Sequence, residues 1–543
     1  MTVKSIKVTY GNMVFGFELN NRLNIMQIRH LVDDMMSENK RKFVIVIHLL
    51  LVLCVPIYVL QFKDCLIDDT FITARYAYNL KNFGVWGLNS GWCSNTATSP
   101  LNVLILTGFL FLSKNIIAAV MAMTVAMYYM IAIALYTISK QIGGTIFYLV
   151  SFVGLLFNPL LSSTFGMESM LYISLFLLAI SLVLHKKFYA LSICVAFLTL
   201  TRPDGILVFV LSLLCLPIFK AGSVNHIKLR MLLGYIGLYL LVIMPWFMFA
   251  WIKLGSFFPE TLFIKMFQTR YESNCAWGGL TFLTGFKAYF IKYPWAFASS
   301  FSLLPFSAFL VISQKHKLNR QIISFLIVFS VIYWLAYCFL GVPPYHWYYI
   351  PLLPCCVLSG AMGISALFLN CRGRPTVTLS STLIIIMLLL FNLQCSLPRD
   401  RQVCIHSNWA SLHDYRQIAK WLKKNIPEND PVKFQGEIGT LAYFSERTLI
   451  DAFSSDDTTQ TVIRVLKKRG KMIRAVGNVN FYWHKDQNIP TDFHYELIGY
   501  PDNKNILCCE NIIKQWQLTS SWNPKSALVL YKINKNQVIP KRN

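Results

Sequence analysis

Two adjacent carboxylates, Asp68 and Asp69, open the stretch DDTFITARYAYNL directly after the apolar run at 43–62. Charges beside hydrocarbon are costly to keep without a partner or a task. Neighbouring carboxylates repel as both ionise, so such a pair favours a raised pKa on one member or a bound cation. One of them could take the proton of an attacking hydroxyl as a general base. A leaving phosphate would then need positive charge and fixed donors, and Arg75, Arg202, Lys265 and His346 are of the right types. Arg presents a planar fork matched to phosphate oxygens, whereas Lys is a point charge. Base plus phosphate clamp suits glycosyl transfer from a lipid phosphate, a lipid phosphotransferase such as a polymer ligase, or a proton- or cation-coupled transporter. The transporter reading is weakened by the absence of matched halves with broken helices.

The elements that must position these residues are set by composition. The chain has 543 residues, of which 55% are hydrophobic and only 14% charged, against roughly 25% charged in soluble domains. It reads as a membrane protein. Its 50 Lys and Arg outnumber 25 Asp and Glu, and the basic residues fall in short clusters between apolar runs. That distribution suits topology setting and contact with membrane lipids, and without basic–aromatic alternation it excludes nucleic acid as a partner. The 14 cysteines include no CxxC and no zinc-spaced Cys/His set. Cys54, Cys194 and Cys338 lie in apolar runs, while Cys93, Cys275, Cys404, Cys508 and Cys509 lie outside them and could pair in an oxidising compartment.

Apolar runs at 43–62, 116–138, 142–161, 168–184, 187–201, 204–219, 231–252, 291–313, 321–340, 347–369 and 376–395 predict about eleven spans. The run at 99–113 has 15 residues, short for a core of about 30 Å, and reads as juxtamembrane or re-entrant. With the N terminus cytoplasmic, the clusters at 39, 140, 185, 228, 314 and 371 all fall inside. The opposite face then receives Asp68, Asp69, Arg75, Glu168, Arg202, Asp204, Glu260, Lys265, Tyr345 and His346. Each has a plain structural reading. Span-end carboxylates are commonly solvated caps, Arg202 and Asp204 could pair beside Pro203, and PPYHWYY could be an interfacial aromatic belt. Their convergence on one face, beside the two short runs meeting at TRPDG, argues for a cleft at the water–lipid boundary. After 396 the chain turns polar, with a helix-like HDYRQIAKWLKKNIP at 413–427 and strand–turn alternation in PVKFQGEIGTLAYFSERTLIDAF. The organisation expected is a cytoplasmic extension at 1–42, a membrane domain at 43–395 and an outer-face soluble domain of mixed α and β structure at 396–543.

DDTFITARYAYNL followed by TSPL resembles the first external loop of the GT-C glycosyltransferases, closest to the bacterial branch that includes the terminal arabinofuranosyltransferases. GMESMLY at 166, LTRPDG at 200, FFPETLFIK at 257, PYHWYYIPLLP at 344 and EIGTLAYFSERTLID at 437 follow in that branch's order. The resemblance implies a polytopic, inverting transferase of the bacterial inner membrane. Such an enzyme uses a polyprenyl-phosphate sugar and acts on a glycan, lipid or protein acceptor at the periplasmic face. It implies Asp68 as base with Asp69 as its partner, and Arg75, Arg202, Lys265, Tyr345 and His346 as donor-phosphate candidates. Glu168, Asp204 and Glu260 would line the cavity. No cofactor is required by such donors, although a divalent cation at Asp68 and Asp69 is compatible with them. CSNTATSPL departs from the branch, as do the segment before 40 and the tail after 455. The basic RVLKKRGKMIR at 464–474 suits anionic lipid, an acidic glycan or a solvated helix face.

Overall fold

The computed structural model describes residues 6–10, 13–17, 46, 49–50, 52–221, 229–267, 281–313, 317–340, 343–371, 374–434, 436–451, 456–468, 470–484, 493–501, 511–522 and 524–533. Cys275, Cys508 and Cys509 and most of the 1–42 extension lie outside these residues. The chain packs as two units, Met1–Ile57 and Tyr58–Asn543. The first holds an antiparallel hairpin of β1 (Ile6–Tyr10) and β2 (Met13–Phe17).

The second unit carries the membrane helices and the polar C-terminal region together. Five helices among the described residues are long and apolar enough to cross a membrane: Ile116–Ser139, Leu229–Lys253, Leu318–Leu340, His346–Asn370 and Pro375–Ser396. Five shorter apolar helices accompany them, among them Pro100–Leu112, Ser169–Leu184 and Phe188–Thr201. The 13-residue Pro100–Leu112 helix is about 20 Å long at 1.5 Å per residue, well short of a crossing.

Two expected spans are interrupted rather than continuous. The 142–161 run ends its helix Gly144–Leu156 early and restarts as the single turn Pro159–Ser162. Pro159 has no N–H to give, and the Asn158 side chain accepts from Leu160 N and Leu161 N to begin the new turn. The 291–313 run breaks into helix Pro294–Ser300 and a 3-10 stretch Leu304–Ser313. That stretch packs on helix Leu353–Asn370, where Gly360 and Gly363 let the Leu303 and Phe306 carbonyls approach the helix backbone.

The C-terminal region is mixed α and β, as its sequence predicts. Its sheet has the order β4–β3–β5–β7–β6, formed by β3 (Val432–Phe434), β4 (Leu449–Ile450), β5 (Tyr495–Tyr500), β6 (Ile512–Gln517) and β7 (Ala527–Lys532). Strand β3 pairs parallel with β4 and β5, and β7 pairs antiparallel with β5 and β6. Helix Leu412–Asn425 starts at a capping box between Ser411 and Asp414 and buries Leu412, Tyr415, Ile418, Ala419 and Leu422 at helical spacing. The expected strand–turn alternation after residue 431 needs one correction: Gly439–Ser445 is a helix between β3 and β4. Its first amides are satisfied by a carboxylate far away in the sequence, so no local cap announces it.

This short helix lies against helix Asp68–Phe83. Tyr443 and Phe444 set their rings 6.0 and 5.3 Å from Phe71. Beside them Asn89 exchanges two hydrogen bonds with the backbone of Leu449, at 2.9 and 3.1 Å. Gly439 is the closest approach, because a Cβ there would collide with the Asp68 carbonyl and the Ile72 amide. Cys93 and Cys404 are both unpaired, with Cys404 Sγ 3.2 Å from Ser163 Oγ. A Gly439→Ala variant should lose about 1–3 kcal/mol of stability through this overpacking. Thermal unfolding should read that loss as a lower midpoint, with faster proteolytic cutting between residues 397 and 411; an unchanged midpoint would contradict the close packing.

Candidate active site

Helix Asp68–Phe83 begins at the first carboxylate, and two acids in a first turn suit the helix dipole. The two nevertheless have different surroundings. Asp68 is buried, with its backbone N–H donating to Asn408 Oδ1 at 3.2 Å. Its carboxylate accepts from Gly439 N at 2.8 Å on one oxygen and from Thr440 N at 2.7 Å on the other. Asp68 is therefore the N-terminal cap of the Gly439–Ser445 helix. Burial raises its pKa, and these amides pull it back.

Asp69, one residue on, is partly exposed. Burial lifts its carboxyl to about 6, Lys265 opposes the rise, and Asp68 and Glu168 add to it. Lys265 stands on helix Glu260–Phe267. Burial disfavours its charge, but Tyr348, Asp69 and Glu168 outweigh that and hold its pKa above the ordinary value. Its Nζ also lies 5.4 Å from the centre of the Tyr345 ring, which stacks on Trp347 at 4.5 Å. The structure thus brings Asp69, Lys265, Glu168, Tyr345 and Tyr348 into one neighbourhood.

Arg202 anchors the far side of that neighbourhood. Its Nε donates to both oxygens of Asp204 at 3.3 and 3.1 Å, and Nη1 donates to Glu168 Oε1 at 3.1 Å. Nη2 donates to Asp204 Oδ2 at 3.0 Å and to the Tyr337 hydroxyl at 2.7 Å, and that hydroxyl donates to Asp204 at 2.5 Å. The expected Arg202–Asp204 pairing is present, enlarged by Glu168 and Tyr337. A buried charge is tolerable when its hydrogen bonds are this completely met. The tyrosine rings of Tyr348 and Tyr172 cover the guanidinium at 5.5 and 5.9 Å. Arg202 therefore braces Glu168 and presents few free donors.

The remaining candidates are engaged elsewhere. Arg75 is buried, donates from Nε to the Leu88 carbonyl at 3.2 Å and lies 5.5 Å from the Tyr78 ring, so it holds the loop after its own helix. Glu260 accepts from Thr459 Oγ1 at 3.1 Å, and its backbone N–H donates to the Asn95 carbonyl at 2.9 Å. His346 is fully buried, edge-on to Tyr289 and Trp347, and neither ring nitrogen has a hydrogen-bond partner among the described residues. Among the described residues no three of His, Cys, Asp and Glu converge as a metal-ligating group.

Residues not singled out from sequence complete the support. Glu437 accepts from Trp409 N at 2.9 Å and from the Tyr415 hydroxyl at 2.7 Å. Burial, reinforced by the Asp68 charge, pushes its carboxyl up to about 8. Asp68 has two amide donors of its own, so it is the member that ionises and Glu437 the member that keeps its proton. Tyr337 and Tyr348 were legible only as apolar-run or belt aromatics, and Asn408 had no local signal.

With this geometry in place, two solved structures share the fold. The crystal structure of ArnT from Cupriavidus metallidurans bound to undecaprenyl phosphate aligns with TM-score 0.57 at 11% identity, covering 90% of this chain and 97% of that one. The apo crystal structure of the same protein aligns with TM-score 0.56 at 12% identity over the same shares. No protein-family model and no curated protein matches the chain. At such identity the likeness establishes the fold alone. It is the fold of ArnT, on a chain with several membrane-length apolar helices and a small sheet-containing C-terminal region, and it does not single out the arabinofuranosyltransferase branch.

The Glu437 carboxyl gives this assembly a pH dependence. A carboxyl raised in the folded protein from 4.5 to about 8 contributes stability that is complete below pH 4.5 and lost as pH climbs through about 8. In thermal unfolding the midpoint of the wild type relative to Glu437→Gln should fall across that window, because Gln accepts similarly and does not titrate. A constant difference across the window would contradict the assignment.

Proposed function

We propose that the chain is a membrane glycosyltransferase that moves a sugar from a polyprenyl-phosphate carrier to a hydroxyl acceptor with inversion. The observation that carries the reading is the electrostatic coupling of Asp69 and Lys265: a partly exposed carboxylate, ionised at neutral pH, whose charge a lysine cation favours at a membrane boundary. The ArnT likeness supports the donor class, since that protein was crystallised with undecaprenyl phosphate.

In this mechanism the Asp69 carboxylate accepts the acceptor's hydroxyl proton. The freed oxygen attacks the anomeric carbon, and the bond from that carbon to the phosphate oxygen breaks on the opposite side. Lys265 offsets the charge gathering on the departing polyprenyl phosphate, and Tyr345 and Tyr348 hold the cation in place. Within the acidic pair, Asp69 is the base and Asp68 its positioning neighbour, because both oxygens of Asp68 already receive backbone amides. No cofactor is required. The acceptor class is a glycan, lipid or protein, and the motif resemblance makes pentofuranosyl donors worth assaying beside hexosyl ones. The motif resemblance implies a bacterial inner-membrane location, and the distribution of basic clusters supports placing this site and the C-terminal region on its non-cytoplasmic side. A polymer ligase relying on His346 has less support, since that ring is enclosed.

Transfer of a labelled polyprenyl-phosphate sugar in proteoliposomes tests the reading. Loss of a general base should lower the rate of Asp69→Asn by about 10²–10⁴-fold with no fall in unfolding midpoint, since burial already disfavours the Asp69 charge. In the wild type kcat/KM should rise with pH through about 6, the limb set by Asp69, and Asp69→Asn should lack that limb. Asp68→Asn should instead lower the unfolding midpoint and keep the limb in whatever activity remains. Wild-type turnover by Asp69→Asn would overturn the assignment.

A further inference from the structure

Helix Lys471–Asn480 and the turn Phe481–Trp483 after it carry two apolar arcs, only one of which is covered. The covered arc, Gly477 and Phe481, packs on Leu466 of helix Asp456–Lys467 and on Phe263. The other arc is open: Ile473, Val476 and Val479 at successive helical turns are 45%, 48% and 59% exposed, followed by Tyr482 at 68% and Trp483 at 45%. Lys471 and Arg474 are exposed between the arcs, and Arg464, Lys467 and Lys468 are exposed on the neighbouring helix.

The position of this arc says what covers it. Trp251 sits at the end of the membrane helix Leu229–Lys253, and its Nε1 donates to the Val479 carbonyl at 2.8 Å. The Trp251 and Tyr482 rings lie 6.4 Å apart, and Phe258 N donates to Asn480 Oδ1 at 2.7 Å. The same membrane helix exposes Phe249 and Ile252 in its last turns. The open arc thus continues the apolar surface of a span at the level where that span ends. A helix with an apolar face, basic flanks and Trp and Tyr at its end matches the interfacial kind, lying in the plane between headgroups and acyl chains. Flanking Lys and Arg would meet lipid phosphates there.

We propose that Lys471–Trp483 is a lipid-docked interfacial segment, which inserts Ile473, Val476, Val479 and Trp483 into the bilayer surface around the end of helix Leu229–Lys253. The occupant of the open arc is phospholipid, and no second protein is needed to cover it. The segment also packs through Phe481 on Phe263 of the helix that bears Lys265, so the bilayer surface becomes one of the walls that hold that helix.

The full chain in nanodiscs of phosphatidylcholine and phosphatidylglycerol, with a photoreactive benzoylphenylalanine placed at 476 or, on the polar side, at 478, tests this. Position 476 should give severalfold more phospholipid adduct by mass spectrometry than 478. Equal labelling at the two positions, or adducts from 476 mainly to another polypeptide or to a different segment of this chain, would overturn the proposal. A second measurement leaves the helix unlabelled. The fluorescence lost in Trp483→Phe should be the part that brominated acyl chains quench in the wild type, and an unquenched Trp483 contribution would overturn the proposal equally.

Discussion

The structure turns on one carboxylate that serves as a cap. Asp68 gives both oxygens to the Gly439 and Thr440 amides, while its own amide is capped by Asn408. Two helices, one beside the membrane spans and one in the sheet-containing region, therefore begin against each other. A helix start leaves its first amides without partners, and a buried start would be costly if none were supplied. Here each start is satisfied by the other side. Any displacement of the C-terminal region from helix Asp68–Phe83 would leave a buried carboxylate and buried amides unmet together.

The neighbouring Asp69 benefits from this fixed start. Successive helical residues point about 100° apart, so holding Asp68 toward Gly439 turns Asp69 to a different side, where it and Lys265 influence each other's charge. The lysine's helix is held in turn by the same C-terminal region: Phe263 and Ile264 pack with Val462, Leu466 and Phe481, and Glu260 receives Thr459. Glu168, the third member, is fixed by Arg202. Three separate elements thus converge, two of them positioned by residues after 431. This gives a physical reason for the C-terminal region to lie in one compact unit with the membrane helices.

Much of this was legible in the residues. Low charge and apolar runs gave a helical membrane protein, and the many-helix fold with a small sheet-containing C-terminal region, expected from the order of short motifs, is the one shared with the ArnT structures. The helix-like stretch read at 413–427 is helix Leu412–Asn425, within a residue or two of its expected bounds. What stayed hidden was long-range. The helix Gly439–Ser445 is short, rich in β-favouring residues and capped from 371 positions away, so local reading gave strand and turn. The difference between Asp68 and Asp69 was equally invisible, because adjacent identical residues differ only in what the fold brings to each. Arg202 was legible as a pair with Asp204, but its bonds to Glu168 and Tyr337 join segments 34 and 135 residues apart.

The central claim is a single displacement at the anomeric carbon, with one base on the acceptor side and the phosphate leaving opposite. The anomeric configuration of the product, read by NMR after turnover of a polyprenyl-phosphate sugar of known configuration in proteoliposomes, tests it most directly. The account predicts an inverted centre. A retained configuration would require two successive displacements, and would contradict it.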